Sequence, residues 1–329
     1  MTTLCAQSRR RALATAALAA LALSAEVALA AQPVRVVTSI PPLAMIVSEL
    51  GGDRVLVHSI LPPGADPHTF EPRPSDAVAV AEADIVVVLG SSIDDWIGDL
   101  IVAPDRTVVV RLDAEGGVKD GAEGGADDGD ERGHDPHVWL DPTWVRDHAL
   151  APIHAALAAA DPDASPRYGV AARAMAEQLA DLEEDMRQAL ALASTRSFLA
   201  WHPAWEHFAR RFGLHSVASV GEVEGREPSL RAMIGAVRAG RAAGVRAVLV
   251  EPQTDSRQAA VLAGELGVPL VTVDPLGDAW SLDRATYRNL MLFNVWAFAR
   301  ALAVENDEKK EEGTAPAAVS SPAASPASP

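Results

Sequence analysis

The chain has 329 residues, 49% of them hydrophobic, which is enough to fill the cores of two domains of ordinary size and excludes a wholly disordered chain. Its formal charge of -17 excludes the clustered basic surface that a nucleic-acid partner would require. Part of that charge is local: residues 113–135 carry nine acidic side chains against Lys119 and Arg132, so the field around the protein is uneven.

In chain order, Arg9, Arg10 and Arg11 lead an apolar run from Ala12 to Leu23, followed by the small-x-small site Ala28-Leu29-Ala30. Residues 1–30 therefore read as an export signal cleaved near Ala30-Ala31, with the arginine pair leaving Sec and twin-arginine export both open. The sole cysteine, Cys5, precedes the apolar run and leaves with the signal, so a metal site in the mature protein must be built from His, Asp and Glu. No other apolar stretch reaches spanning length.

Short β-branched runs then alternate with helical patterns, the signature of parallel α/β units. Residues 31–165 form the expected first lobe, with strands at Val34–Ile40, Val55–Leu61, Asp84–Gly90 and Thr107–Leu112. Its helices are expected at Pro42–Leu50, at Ser75–Ala83 with Ser75 as cap, and from Pro142 to about Ala160. The insert 113–135 is Gly- and Asp-rich with no apolar period and reads as a surface loop. Met175, Leu179, Leu182, Met186 and Leu190 recur at helical spacing, so 166–194 is expected to be one long connecting helix.

A second lobe over 195–304 carries strands at Ser197–Trp201, His215–Val220, Arg246–Glu251 and Leu270–Asp274, and a closing helix capped by Asp283. Residues 305–329 lack the apolar content to fold and read as a disordered tail. The expected fold class is thus α/β: two similar lobes, each a mostly parallel sheet flanked by helices, joined by a long helix.

In such sheets ligands bind at the carboxyl ends of strands. His68 lies in the loop after the second strand, within Asp66-Pro67-His68-Thr69-Phe70-Glu71-Pro72, and His137 lies in Asp135-Pro136-His137-Val138-Trp139. His202 and Asp274 end strands of the second lobe. Three imidazoles and a carboxylate, two from each lobe, form a four-coordinate nitrogen and oxygen set suited to zinc. Glu251 ends a strand beside them and is a candidate acceptor for a ligand imidazole, and His134, three residues before His137, is a candidate accessory ligand. A zinc hydrolase is the competing class, but His202-Pro203-Ala204-Trp205-Glu206-His207 matches neither the zincin spacing nor its inverse. Four protein ligands would also leave no open position for a catalytic water.

The segments Gly64–Asp76, Asp135–Pro142, His202-Pro203-Ala204-Trp205, Gly225–Ser229, Glu251-Pro252-Gln253 and Asp274-Pro275-Leu276-Gly277 resemble, in order and spacing, the solute-binding proteins of bacterial zinc and manganese ABC importers, the cluster A-I family. The resemblance implies a periplasmic, non-enzymatic monomer. Its cargo would be a divalent metal ion, zinc first, with manganese or iron as the alternative, and its partner the inner-membrane permease. It places His68, His137, His202 and Asp274 on the family's metal-ligand positions. The family's manganese members often carry Glu where this chain has His202, which favours zinc. The acidic loop here departs from the His-rich loop of zinc members, since it holds only His134.

Overall fold

The computed structural model describes residues 32–101, 107–112, 135–220, 228–254 and 256–303. The expected signal, nearly all of the acidic insert including His134, and the expected tail lie outside the described residues. No helix among the described residues is long and apolar enough to cross a membrane.

The first lobe is built on β1 (Val34–Thr38), β2 (Val55–Ser59), β3 (Ile85–Val88) and β4 (Val108–Arg111), all parallel and ordered β2-β1-β3-β4. The second lobe repeats that order with β5 (Ser197–Ala200), β6 (His215–Ser219), β7 (Val248–Val250) and β8 (Leu270–Thr272), again all parallel, as β6-β5-β7-β8. The inner strands β3 and β7 are apolar at every position and buried throughout, as a sheet covered on both faces requires. In each lobe the chain reverses its direction of travel across the sheet after the second strand, which opens a crevice at the strand ends.

Helices α1 (Pro41–Gly51), α2 (Pro74–Glu82), α3 (Pro142–Trp144) and α4 (Leu150–Ala160) belong to the first lobe, and α5 spans Ser165–Ala191. The second lobe holds α6 (Glu206–Phe212), α7 (Leu230–Ala243), α8 (Ser256–Leu266) and α9 (Tyr287–Leu302). With 27 residues, α5 is about 40 Å long. Its buried stripe of Tyr168, Met175, Leu179, Leu182, Met186, Ala189 and Leu190 packs on α1 and α4 of one lobe and α9 of the other. One contiguous apolar cluster consequently runs from Ile40, Leu43 and Leu61 through α5 to Phe198, Trp205 and Phe298. The lobes therefore share a core, and large hinge opening would expose it to water.

Three local expectations are corrected. The helix expected from Pro142 is interrupted by a π-turn at Val145–Ala149. Pro152 has no N–H for the carbonyl of His148, and the wider turn just before it relieves the clash a regular helix would suffer there. Ser75 does not cap α2: Pro74 occupies the first turn, and the Asp76 carboxylate accepts the Arg73 N–H at 2.7 Å. Asp283 does not cap the last helix, because it is engaged by Ser281 Oγ at 2.6 Å; the cap is Thr286, which accepts from the Asn289 N–H. The structure adds the short helix α6 to the expected elements.

Gly277 sits where the lobes meet. Its φ is +75°, and a Cβ there would lie 2.7 Å from Met45 Cε and 2.8 Å from the backbone oxygen of Arg284. Gly277→Ala is expected to cost about 1–3 kcal/mol, read as a lowered midpoint of thermal unfolding, since the backbone oxygen cannot step aside as a side chain would.

Candidate metal centre

The two histidines of the first lobe are presented by the same local device. In Asp66-Pro67-His68 the Asp66 carboxylate accepts the backbone N–H of His68 at 2.9 Å, and in Asp135-Pro136-His137 the Asp135 carboxylate accepts that of His137 at 3.0 Å. The aspartate folds the chain back on itself and the intervening proline restricts it further, so each imidazole is projected from a stiff turn. His202 is presented two residues beyond β5, where Pro203 prevents the chain from continuing as a strand.

These three residues converge from the two lobes. Their candidate ligand atoms lie within 4.8 Å of one another, and His137 Nε2 stands 3.3 Å from His202 Nε2 across the interface. Ring centroids are 4.9 to 5.4 Å apart, with the planes tilted or edge-on to one another. Three imidazole nitrogens this close together are an arrangement that a divalent ion would satisfy. The surrounding cavity has a volume of about 70 Å³ and is also lined by Asp66, Trp139, Glu251 and Gln253.

Electrostatics keep the imidazoles free to bind. Burial, and then the charge of neighbouring His137 and His68, pushes the His202 pKa down to about 3, and burial followed by the charge of His137 lowers that of His68. Both rings therefore resist protonation and stay available as ligands to lower pH than ordinary imidazoles would.

The partner of the His137 ring is Asp135, not Glu251. Asp135 Oδ1 lies 2.6 Å from His137 Nδ1, which leaves Nε2 to face His202 and the centre. Burial opposes ionisation of Asp135, but the hydrogen bond and charge of His137 outweigh it and hold the carboxyl below its ordinary value. Across the lobe interface His207 Nε2 meets the Asp135 backbone oxygen at 2.9 Å. Asp135→Asn is expected to weaken zinc binding about 10- to 100-fold in a competition titration, because a neutral amide oxygen can still accept the ring N–H but no longer raises the basicity of the imidazole.

Glu251 instead accepts the indole N–H of Trp205 at 2.9 Å, and burial, aided by the charges of Asp274 and Asp66, pushes its pKa up to about 8. Asp274 is likewise buried, but it is not part of the histidine cluster. Its Oδ1 accepts from Gln253 Nε2 and the N–H groups of Leu276 and Gly277, and its Oδ2 accepts from Arg284 Nη1 at 2.7 Å. Both oxygens are thus already satisfied within the second lobe. The neighbouring tryptophans divide: Trp139 lines the cavity with its ring 5.2 Å from His137, whereas Trp201 and Trp205 pack in the cores of the second lobe. Trp139 also ties the lobes together, donating to the Pro275 oxygen while its own carbonyl accepts from Tyr287 Oη.

The model of the ZnuA family, described as zinc-uptake complex component A, periplasmic, matches residues 36–301 of the chain. The chain belongs to that family. Among relatives, the high-affinity zinc uptake system protein ZnuA of Paracoccus denitrificans is 31% identical over 229 residues, which covers 59% of this chain and 69% of that protein. The zinc-binding protein AdcA of Streptococcus pyogenes is 26% identical over 265 residues; these are 75% of this chain but only 51% of the streptococcal protein, so the chain spans about half the length of that relative. Of solved structures, a zinc-bound deletion mutant of ZnuA superposes with a TM-score of 0.71 at 28% identity, covering 83% of this chain and all of the other. The two-lobed α/β architecture is that of the ZnuA family.

Proposed function

We propose that this ZnuA-family chain is a periplasmic zinc-binding protein that captures the ion between its lobes and hands it to an ABC permease in the inner membrane, acting as a monomer. The observation that carries the reading is the convergence of His68 and His137 from one lobe with His202 from the other. Zinc is the cargo, because three imidazoles suit a borderline-soft cation better than they suit manganese, whose preferred ligands are oxygens. Iron and manganese remain the competitors. The N-terminal signal directs export, and the shared core of the lobes restricts release to a small displacement imposed by the permease.

Asp274 is the proposed fourth ligand, but its carboxylate is engaged by Arg284 at 2.7 Å, so a closed shell does not by itself argue against a zinc hydrolase. The family does, and so does a cavity of about 70 Å³, which accommodates an ion and a few waters rather than an organic substrate. The test is competition titration of the metal-free protein with zinc, manganese and iron, alongside an ester-hydrolysis assay of the zinc form. Zinc bound most tightly with no hydrolysis supports the reading; preferential manganese binding or zinc-dependent turnover overturns it.

A further inference from the structure

The geometry points to Arg211 as a positioning residue for metal capture: from α6 it grips Asp141 of the other lobe and so holds His137 opposite His202. The inference rests on the three-imidazole site proposed above and deepens it.

Two segments carry the part of the site where the lobes meet, and they lie alongside one another. One runs from Asp135 through His137 to Asp141 in the first lobe, and the other from His202 into α6 in the second. They touch at three levels. His137 Nε2 stands 3.3 Å from His202 Nε2, His207 Nε2 donates to the Asp135 backbone oxygen at 2.9 Å, and Arg211 spans both oxygens of Asp141, with Nε at 2.9 and 3.0 Å and Nη2 at 2.8 Å. His207 and Arg211 are four residues apart and so share one face of α6. The buried side of that helix is fixed in the second lobe, where Phe208 and Phe212 are packed and the Phe208 ring stacks on Phe298 of α9 at 4.5 Å.

Both ends of the grip are rigid. Asp141 is 7% exposed, and its Oδ1 also accepts the Thr143 N–H at 2.9 Å, which locks the carboxylate to the start of α3. Only the buried turn Val138–Leu140 separates it from His137. A guanidinium that engages both oxygens of a carboxylate fixes orientation as well as distance, which a point charge does not. Arg211 therefore sets the placement of His137 relative to the helix that follows His202, and spares metal binding the cost of bringing the two lobes' ligands together. Its loss would leave Asp141 a buried carboxylate with the Thr143 N–H as its remaining side-chain partner among the described residues, and the segment bearing His137 would be drawn toward water.

The test measures zinc affinity by competition titration, and zinc release into excess chelator by stopped flow, in wild type, Arg211→Met, Arg211→Lys and Arg54→Met. The last is a control for stability: Arg54 pairs with Asp161 at 2.6 Å inside the first lobe, and both side chains are no more exposed than those of the Arg211–Asp141 pair. Arg211→Met is expected to weaken zinc binding about tenfold, chiefly through faster release. Arg211→Lys, which keeps the charge but not the two-pronged grip, is expected to recover only part of that loss. Adding Asp141→Asn to Arg211→Met is expected to weaken binding no further, because the two residues act as one unit. Arg54→Met is expected to lower the melting temperature and keep wild-type affinity. A folded Arg211→Met protein with wild-type affinity and release overturns the inference, and so does an equal loss of affinity in Arg54→Met, which would make the effect one of general stability. Should Arg211→Met fail to fold, Arg211→Lys decides in its place: faster release supports the inference and wild-type release overturns it. Failure of the underlying site would show elsewhere, as undiminished zinc affinity when His202 is removed.

Discussion

Replacing His137 by alanine is expected to lower zinc affinity by about 3 kcal/mol, or roughly two orders of magnitude, the share of one ligand in a protein zinc site. His137 is the strongest choice of the three because it is buried, is oriented by Asp135, and faces His202 across the lobe interface at 3.3 Å. His202→Ala should act similarly, whereas His215→Ala, at an exposed position on β6 away from the cluster, should leave affinity unchanged. Isothermal titration measures the affinities, and thermal unfolding supplies the check. Saturating zinc stabilises a native state that binds it by RT ln(1 + [Zn]/Kd), so the zinc-dependent rise in melting temperature should shrink in the histidine variants and persist in His215→Ala. Equal stabilisation of His137→Ala and wild type by zinc would remove His137 from the ligand set.

Glu251→Gln is expected to stabilise the metal-free protein at neutral and alkaline pH and to do little in acid. Burial raises the Glu251 pKa from 4.5 to about 8, so the folded protein holds a proton that the unfolded chain releases between those values. Over that window the unfolded state binds fewer protons, and stability falls as pH rises, at up to about 1.4 kcal/mol per pH unit. The glutamine carries no such penalty and its side-chain oxygen can still accept the Trp205 indole N–H. At pH 7 the gain is expected to reach about 3 kcal/mol, or several degrees in melting temperature, and to vanish near pH 4.5. Melts of both proteins at pH 4.5, 6 and 8 provide the check. Parallel pH profiles would mean that Glu251 is ionised in the folded state.

The same carboxyl illustrates how far local reasoning reaches. Its place at the end of β7 was legible, and so was its nearness to the site, because strand ends in a parallel sheet converge. Its hydrogen-bond partner was not, because Trp205 lies 46 residues away and only the packing of α6 against the second lobe brings the indole to it. Asp135 is the reverse case. The repeated Asp-Pro-His at 66–68 and 135–137 is a local signal, sufficient to nominate the aspartate as the residue that positions its histidine.

By itself, then, the sequence determined what depends on near neighbours and on periodicity. The alternation of β-branched runs with helices set the parallel α/β class. The apolar stripe from Met175 to Leu190 set the long helix, and the loss of Cys5 with an export signal would confine metal ligands to nitrogen and oxygen. Histidines placed at strand ends marked the site. Tertiary structure decided which of those groups meet. The three imidazoles converge because two lobes of the same strand order close on one core, whereas Asp274, equally well placed along the chain, is taken by Arg284. A buried carboxylate goes to whichever donors desolvate with it, and the guanidinium, two backbone N–H groups and Gln253 reach it within its own lobe.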